Sequence, residues 1–314
     1  MTVEQLATFP SAKLLQGNGT SWVHFEQFGP EEASFFRTEG KFHPLDIKDC
    51  LGLTQRPKID VYNNYLFLVL HFPDYNNETR RLETVEISFF LTREFVITIQ
   101  KQKSKALRQF FYRTKTNDKH RKEIFSGTSG HVLYRILDHL YHQTPQVMDR
   151  LTQYTKEVEE EIYTEEQSSN PIRHLVRLRR NILRFQRMVD PQRFVINTLV
   201  HLRRPYFSEE LSVYFDDIHD RIEEIWAHIG STKEIIDGLY AVNESLVTQR
   251  TNETIKVLTT ISVLLMPATL IASIYGMNVH LPFASSLHAF SIVVVFMVLL
   301  IGCVLIYLKR RKIL

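Results

Sequence analysis

Tyr275-Gly276-Met277-Asn278 and the uncharged runs on either side of it, residues 257–274 and 290–308, decide the fold of this chain. A helix needs roughly 20 mostly apolar residues to cross about 30 Å of hydrocarbon, and both runs are about that long. The connection, residues 279–289, holds Pro282, Ser285 and Ser286, so it predicts a turn rather than continued helix. The pattern reads as a helical hairpin that spans a membrane twice. The alternative, a pair of buried core helices, must place two such runs in succession in a soluble domain. Lys309, Arg310, Arg311 and Lys312 follow the second run, whereas the connection has no Lys or Arg. Positive charge marks the cytoplasmic flank. Both termini are therefore expected in the cytoplasm, with the connection outside a multi-pass protein of the cell inner (plasma) membrane.

Away from the hairpin, composition bounds the rest. The 314 residues suffice for a large soluble domain besides the two spans. Lys and Arg total 38 against 35 for Asp and Glu, so no polyanion and no nucleic acid is implied as partner. The distribution says more: no Asp or Glu follows Glu253. Residues 1–13 lack the apolar core of a signal peptide, so export by a cleaved signal is not expected. Cys50 and Cys303 fall in cytoplasm and membrane, an arrangement that disfavours a disulfide. No nucleophile elbow, phosphate loop, metalloprotease helix or paired-carboxylate motif is found, and the chain does not read as an enzyme.

The fold class that follows is an α+β cytoplasmic domain, a long stalk helix and two C-terminal transmembrane helices. Residues 1–125 read as mixed α/β. Strands are expected at 21–25, at 61–72 with an interruption at Asn63-Asn64, and as a hairpin of 85–91 and 95–99 around Thr92-Arg93-Glu94. Short helices are expected at 30–36 and 44–50, and Gly17-Asn18-Gly19-Thr20 as a turn. Residues 126–205 read as a helical hairpin: one helix from 131 through about 166, a stop at Ser168-Ser169-Asn170, and a restart at Pro171. The first helix is acidic (Glu157, Glu159, Glu160, Glu161, Glu165, Glu166). The second is basic (Arg173, Arg177, Arg179, Arg180, Arg184, Arg187). Facing opposite charge is the simplest account, and two separately solvated faces the other. The stalk, 206–254, opens with Ser208 as a cap and Glu209 and Glu210 in its first turn. Run on without a break to about residue 274, it makes roughly 100 Å of helix at 1.5 Å per residue, more than a globular domain uses.

Helical spacing places Ile255, Thr259, Ser262, Met266, Thr269, Ser273 and Met277 on one stripe of the first span, 255–278, with Asn252 just below. Hydroxyls mixed with Met make a poor lipid-facing surface. The stripe fits a pore lining, and it also fits helix–helix packing, where Ser and Thr are common.

Asn252-Glu253-Thr254-Ile255-Lys256-Val257-Leu258-Thr259, then Met266-Pro267, then Tyr275-Gly276-Met277-Asn278, resembles the first membrane helix of the CorA family of magnesium and divalent-cation channels. His43-Pro44-Leu45, Asp49, Gln55-Arg56-Pro57-Lys58-Ile59-Asp60 and Tyr65-Leu66-Phe67 add a second match, so the resemblance runs from about His43 to the end. It implies a CorA-like funnel and a homopentamer whose first helices enclose the pore, bathed by membrane lipids. Gly276, Met277 and Asn278 would form the selectivity filter, with Gly276 permitting close backbone approach. Ile255, Leu258 and Met266 are candidate apolar constrictions, and Lys309, Arg310, Arg311 and Lys312 a basic collar. Asp49 and Asp217 would form a regulatory Mg2+ site between subunits, with Asp220 and Glu224 on the face of Asp217.

The implied function is Mg2+ uptake down the membrane potential, with feedback closure by cytoplasmic Mg2+. One departure stands out. Many family members carry an acidic residue in the loop after Gly-Met-Asn; here residues 279–286 contain none. His280 and His288 in or beside that loop suit Zn2+, Co2+ or Ni2+ if they are ligands, and are otherwise exposed loop residues. A Zn2+ transporter of the related ZntB branch, with or without proton coupling, and a membrane-anchored scaffold without transport are the competing functions.

Overall fold

The computed structural model describes residues 1–52, 56–164, 171–207, 209–277 and 288–311. It divides into two compact units, Met1–Tyr240 and Ala241–Leu314.

The first unit opens with helix α1 (Val3–Leu6), strands β1 (Ala12–Gly17) and β2 (Thr20–Phe25), and helices α2 (Pro30–Thr38) and α3 (Pro44–Leu51). Strands β3 (Lys58–Val61), β4 (Leu66–Asn76), β5 (Arg81–Leu91) and β6 (Phe95–Gln100) follow. Then come helices α4 (Lys105–Thr116), α5 (Asp118–Ile124), α6 (Ser129–His142), α7 (Thr144–Tyr163) and α8 (Pro171–Val200). Helix α9 (Glu209–Tyr275) runs 67 residues from the first unit into the second, which closes with α10 (Ala289–Arg310).

The strands form one sheet in the order β1-β2-β6-β5-β4-β3. All neighbours are antiparallel except β2 and β6, which run parallel. Local chemistry sets the turns. Asn18 (φ 45°) and Gly19 (φ 76°) supply the two left-handed residues of the tight β1–β2 connection. Pro44 opens α3, and the His43 ring accepts the Leu45 N–H. Ser104 caps α4 by accepting the Leu107 N–H at 3.1 Å.

Both sheet faces are apolar and covered. Phe25, Phe67, Phe90 and Ile97 pack with Leu6, Phe36 and Ile47 from α1, α2 and α3. On the other face Trp22 meets Phe110 and Phe111 of α4, with ring centroids 5.8 and 4.9 Å away. Its Nε1–H donates to Thr98 Oγ1 at 3.0 Å, and that hydroxyl lies 2.9 Å from Nδ1 of fully buried His24. Burial pushes the His24 imidazole down to about 4.

Two buried amides fasten α8 to the sheet. Asn181 accepts the Leu82 N–H (3.0 Å) and donates to the Arg80 carbonyl (2.9 Å). Gln192 donates to the His71 carbonyl (2.9 Å) and accepts from the Tyr141 hydroxyl (2.8 Å). Each satisfies backbone polar groups of the sheet that would otherwise be buried without a partner.

The helix expected from residue 131 through 166 is two helices. α6 ends at His142 and α7 starts at Thr144 with Pro145 in its first turn. A proline there has no N–H to continue the ladder of the preceding helix. The charge on α7 and α8 is also distributed differently from a simple facing pair. Glu161 meets His174 across the two helices at 2.6 Å, but Glu157 meets Arg80 at 2.7 Å. On α8, Arg179 and Arg193 turn to α9, reaching Asp237 (3.7 Å) and Glu223 (2.6 Å). Glu165, Glu166 and Ser208 lie outside the described residues.

In the second unit the C-terminal part of α9 and all of α10 are long and apolar enough to cross a membrane. Pro267 lies within α9, which continues through it.

Candidate ion pathway and metal-sensing carboxylates

On α9 Ile255, Leu258, Thr259, Ser262, Met266, Thr269 and Ser273 are all exposed, as is Met277 just past its end. Partial burial falls on Thr260, Leu264, Pro267, Ala268 and Ile271 instead. At 100° per residue this half-buried set is centred roughly opposite Ser262, Met266, Thr269 and Ser273. α10 shows the same periodicity, with Val293, Met297, Leu300 and Val304 half-buried and Leu308 buried. The polar stripe thus lies opposite the covered positions, within a surface that the chain's own packing leaves largely open, Ile261, Leu265 and Leu270 included.

The hydroxyls of that stripe have a defined polarity. Ser262 donates its proton to the Leu258 carbonyl at 3.0 Å, and Thr269 to the Leu265 carbonyl at 2.9 Å. With the hydrogen committed to the helix, each oxygen presents only lone pairs outward. Lone pairs accept from the waters of a hydrated cation. Asn252 continues the polar surface downward in a groove it shares with Ser245, Thr248 and Gln249.

At the other end the helix closes at Tyr275. Gly276 N–H bonds to the Ala272 carbonyl at 2.9 Å, and Met277 N–H to the Ile274 carbonyl at 3.2 Å. A Cβ on Gly276 would stand 3.2 Å from the oxygen of Ala272, the carbonyl its own N–H bonds. Asn278, His280 and Lys312 lie outside the described residues. His288 is exposed immediately before α10. Lys309 and Arg310 end α10, and the Arg311 guanidinium lies 5.8 Å from the Tyr307 ring.

The two carboxylates expected to sense metal belong to the first unit. Asp49 sits on α3, and Lys58, the first residue of β3, bridges it (2.8 Å) to Asp60 (2.5 Å). Burial works against the Lys58 ammonium, yet the hydrogen bonds to Asp49 and Asp60 raise its pKa. One turn earlier Asp46 is fully buried and accepts from the hydroxyls of Tyr65 (2.8 Å) and Tyr62 (3.2 Å). Burial raises the Asp46 pKa against those two hydrogen bonds. This anchor fixes the helix that carries Asp49.

Asp217 lies on α9, well exposed, 3.1 Å from Arg221, which also reaches Asp138 on α6 at 3.0 Å. The structure therefore pairs each expected sensor residue with a cation of its own chain rather than with the other. Asp220 groups with Asp216 and His219, their ligand atoms within 4.8 Å of one another. Sequence reading passed over Lys58 and Arg221. Lys58 carried a signal, since it stands two residues before Asp60 on the same strand face; Arg221 carried another, four residues after Asp217 on a helix.

The sequence matches the family of CorA-like Mg2+ transporter proteins over residues 17–310. This chain belongs to the CorA family. Among relatives, the cobalt/magnesium transport protein CorA of Thermotoga maritima is 29% identical over 296 residues, covering 93% of this chain and 83% of that protein. The zinc transport protein ZntB of Yersinia pseudotuberculosis is 25% identical, covering 93% of this chain and 87% of that one. The CorA magnesium transporter structure from Methanocaldococcus jannaschii superposes with a TM-score of 0.80 at 19% identity, covering 94% of this chain and 92% of that one.

Proposed function

We propose that this chain assembles as a homopentamer in the cell inner membrane and conducts divalent cations, Mg2+ foremost, into the cytoplasm. The observation that carries the reading is the uncovered stripe of α9, opposite the helix's own packed face and bearing outward lone pairs. Two spans from one chain cannot enclose a channel. Cyclic symmetry turns each stripe residue into a ring. Mg2+ sheds its waters reluctantly, so rings of neutral oxygens suit it: they accept hydrogen bonds from the hydrated ion without holding it. Asn278 would supply the outermost ring, Thr269 and Ser262 the middle, Asn252 the cytoplasmic end. Ile255, Leu258 and Met266 would narrow the path and close it by dewetting. The tail from Lys309 lies in the cytoplasm, and the connection 279–289 outside.

Closure follows from the carboxylates. Asp49 of one subunit and Asp217 of its neighbour repel across an interface, and a bound Mg2+ reverses that sign. As internal Mg2+ falls, the ion leaves and the closed state loses its preferential ligand. Zn2+ transport is the second reading, favoured by His288 beside the connection and by the ZntB relative.

Flux into liposomes, measured for Mg2+, Zn2+, Co2+ and Ni2+ separately, tests the assignment. Mg2+ should enter fastest and accelerate under an inside-negative potential, about 2.3 kcal/mol per charge per 100 mV. Asn278→Ala should abolish that flux in a fully assembled pentamer. Zn2+ flux without Mg2+ flux would transfer the function to the second reading, and no flux of any ion would leave the scaffold.

A further inference from the structure

The guanidinium of Arg221 divides its two arms between two carboxylates. One arm donates to Asp138 of α6 at 3.0 Å, the other to Asp217 of its own helix at 3.1 Å. An arginine can instead set both arms on a single carboxylate and neutralise it, as Arg193 does with Glu223 at 2.6 and 2.8 Å. Arg221 leaves one positive charge against two negative ones. Its own side chain and that of Asp138 are half-buried, whereas Asp217 is 63% exposed.

The arrangement is that of a carboxylate pair bridged by a cation. Two carboxylates on different helices repel, and a shared cation reverses the sign. Mg2+ makes such links with one or two carboxylates, waters completing its octahedral shell. A guanidinium makes the same link with two differences. Its charge is permanent, and it is part of the chain, so it stays when the free ion concentration falls. The two helices are also joined without it. Tyr134, one turn before Asp138, packs against Tyr214 (5.0 Å between ring centroids) and against fully buried Phe215 (6.0 Å).

We infer that Arg221 is a built-in substitute for a divalent cation between α6 and α9, and that Asp138 and Asp217 become an ion site within one chain once its charge is removed. The consequence for closure rests on the proposed sensing by Asp49 and Asp217. The junction between stalk and domain in each subunit holds at every Mg2+ concentration, so the ion acts only between subunits. Arg221 is a positioning residue: it sets how many ions the carboxylates hold and which contact those ions control.

The test counts ions. The full-length, detergent-solubilised protein is titrated with Mn2+, an octahedral, oxygen-bound ion like Mg2+, and free Mn2+ is read from its paramagnetic resonance signal. Every variant carries Asp49→Asn, which removes the proposed intersubunit site. Unchanged closure in that parent would sink the sensor and leave the count standing. Ions on the exposed Asp216, His219 and Asp220 group are common to all variants and cancel. Arg221→Gln should bind one more Mn2+ per chain than its parent, and Mg2+ should displace it. Arg221→Lys keeps the charge and should match the parent. Arg221→Gln with Asp138→Asn loses a ligand and should match it too. An Arg221→Gln count equal to the parent, a gained ion in Arg221→Lys, or an extra ion that survives Asp138→Asn overturns the inference. If Arg221→Gln assembles only with Mn2+ or Mg2+ in the buffer, and NaCl of equal ionic strength does not rescue it, the ion has taken the arginine's place. Failure to assemble in either buffer overturns the substitution.

Discussion

The two units handle oxygen in opposite ways. In the first, carboxylates are plentiful and held: Asp49 and Asp60 by Lys58, Asp217 and Asp138 by Arg221, Glu223 by Arg193. In the second, no carboxylate follows Glu253, and the stripe oxygens are neutral, with Ser262 and Thr269 bonded back to their own helix. A charged oxygen binds a divalent ion tightly enough to report its concentration. A neutral one binds loosely enough to let it pass. On the proposed function, that difference divides sensing, in the first unit, from conduction, in the second.

Moving a carboxylate onto the stripe of the second unit should break that division most visibly. Thr269→Asp would place a ring of negative charge in the pore, where an unpaired charge is also costly. Mg2+ flux through an assembled variant should fall by at least about tenfold, the cost of roughly 1.4 kcal/mol of added ground-state binding; flux at or above wild type would dissolve the contrast. Removing charge from the first unit is the converse. Asp49→Asn with Asp217→Asn should leave conduction intact and abolish closure by millimolar-range internal Mg2+, recorded in inside-out patches. A double variant that shuts at the wild-type concentration would place the sensor elsewhere.

A subtler change sharpens the same point. The Lys58 ammonium lies 2.8 Å from the Asp49 carboxylate, so in the proposed sensor it competes with Mg2+. Exposed ion pairs are worth ~0.2–1 kcal/mol. Lys58→Gln should accordingly lower the half-closing Mg2+ concentration by about 1.4- to 5-fold. An unchanged or raised value would show that the pair orients Asp49 rather than blocking it.

The effect most remote from the ion concerns stability. His24 is held neutral, its pKa lowered by burial from 6.5 to about 4. Between those values the unfolded chain binds the extra proton and the folded chain does not, so stability rises with pH. That contribution, ~3 kcal/mol, is complete above pH 6.5 and is lost as pH falls toward 4. The thermal midpoint of the wild-type protein should drop through that window, and His24→Gln should flatten the slope. An equal slope in the variant would move the acid sensitivity to another group.

Much of the fold was legible because turn chemistry is local. Asn18-Gly19, Asn63-Asn64 and Thr92-Arg93-Glu94 all stand between strands, and Pro30, Pro44 and Pro171 each open a helix. β1 was missed because its residues, Ala12–Gly17, alternate weakly and are mostly half-buried. Pro145 was read through because an apolar helical period continues on both sides of it. The destinations of the α7 and α8 charges were not legible, since a helix face does not reveal which neighbour it meets. Nor could spacing alone decide between pore and packing for the stripe: Ser and Thr serve both. The half-burial of Thr260, Leu264 and Ile271 on the opposite face is tertiary information, and it supports the proposed pore reading in a way that spacing does not.

That separation is open to direct measurement. In a Cys303→Ser background, single cysteines are placed at Ser262, Thr269 and Ser273 on the stripe and at Leu264 and Ile271 opposite it. Each protein is treated in liposomes with a small, membrane-impermeant thiol reagent while Mg2+ flux is followed. The stripe positions should be modified and flux blocked, and Leu264→Cys and Ile271→Cys should remain unmodified and conducting. Modification and block at Leu264 and Ile271, with the stripe silent, would contradict the assignment of this face to the ion.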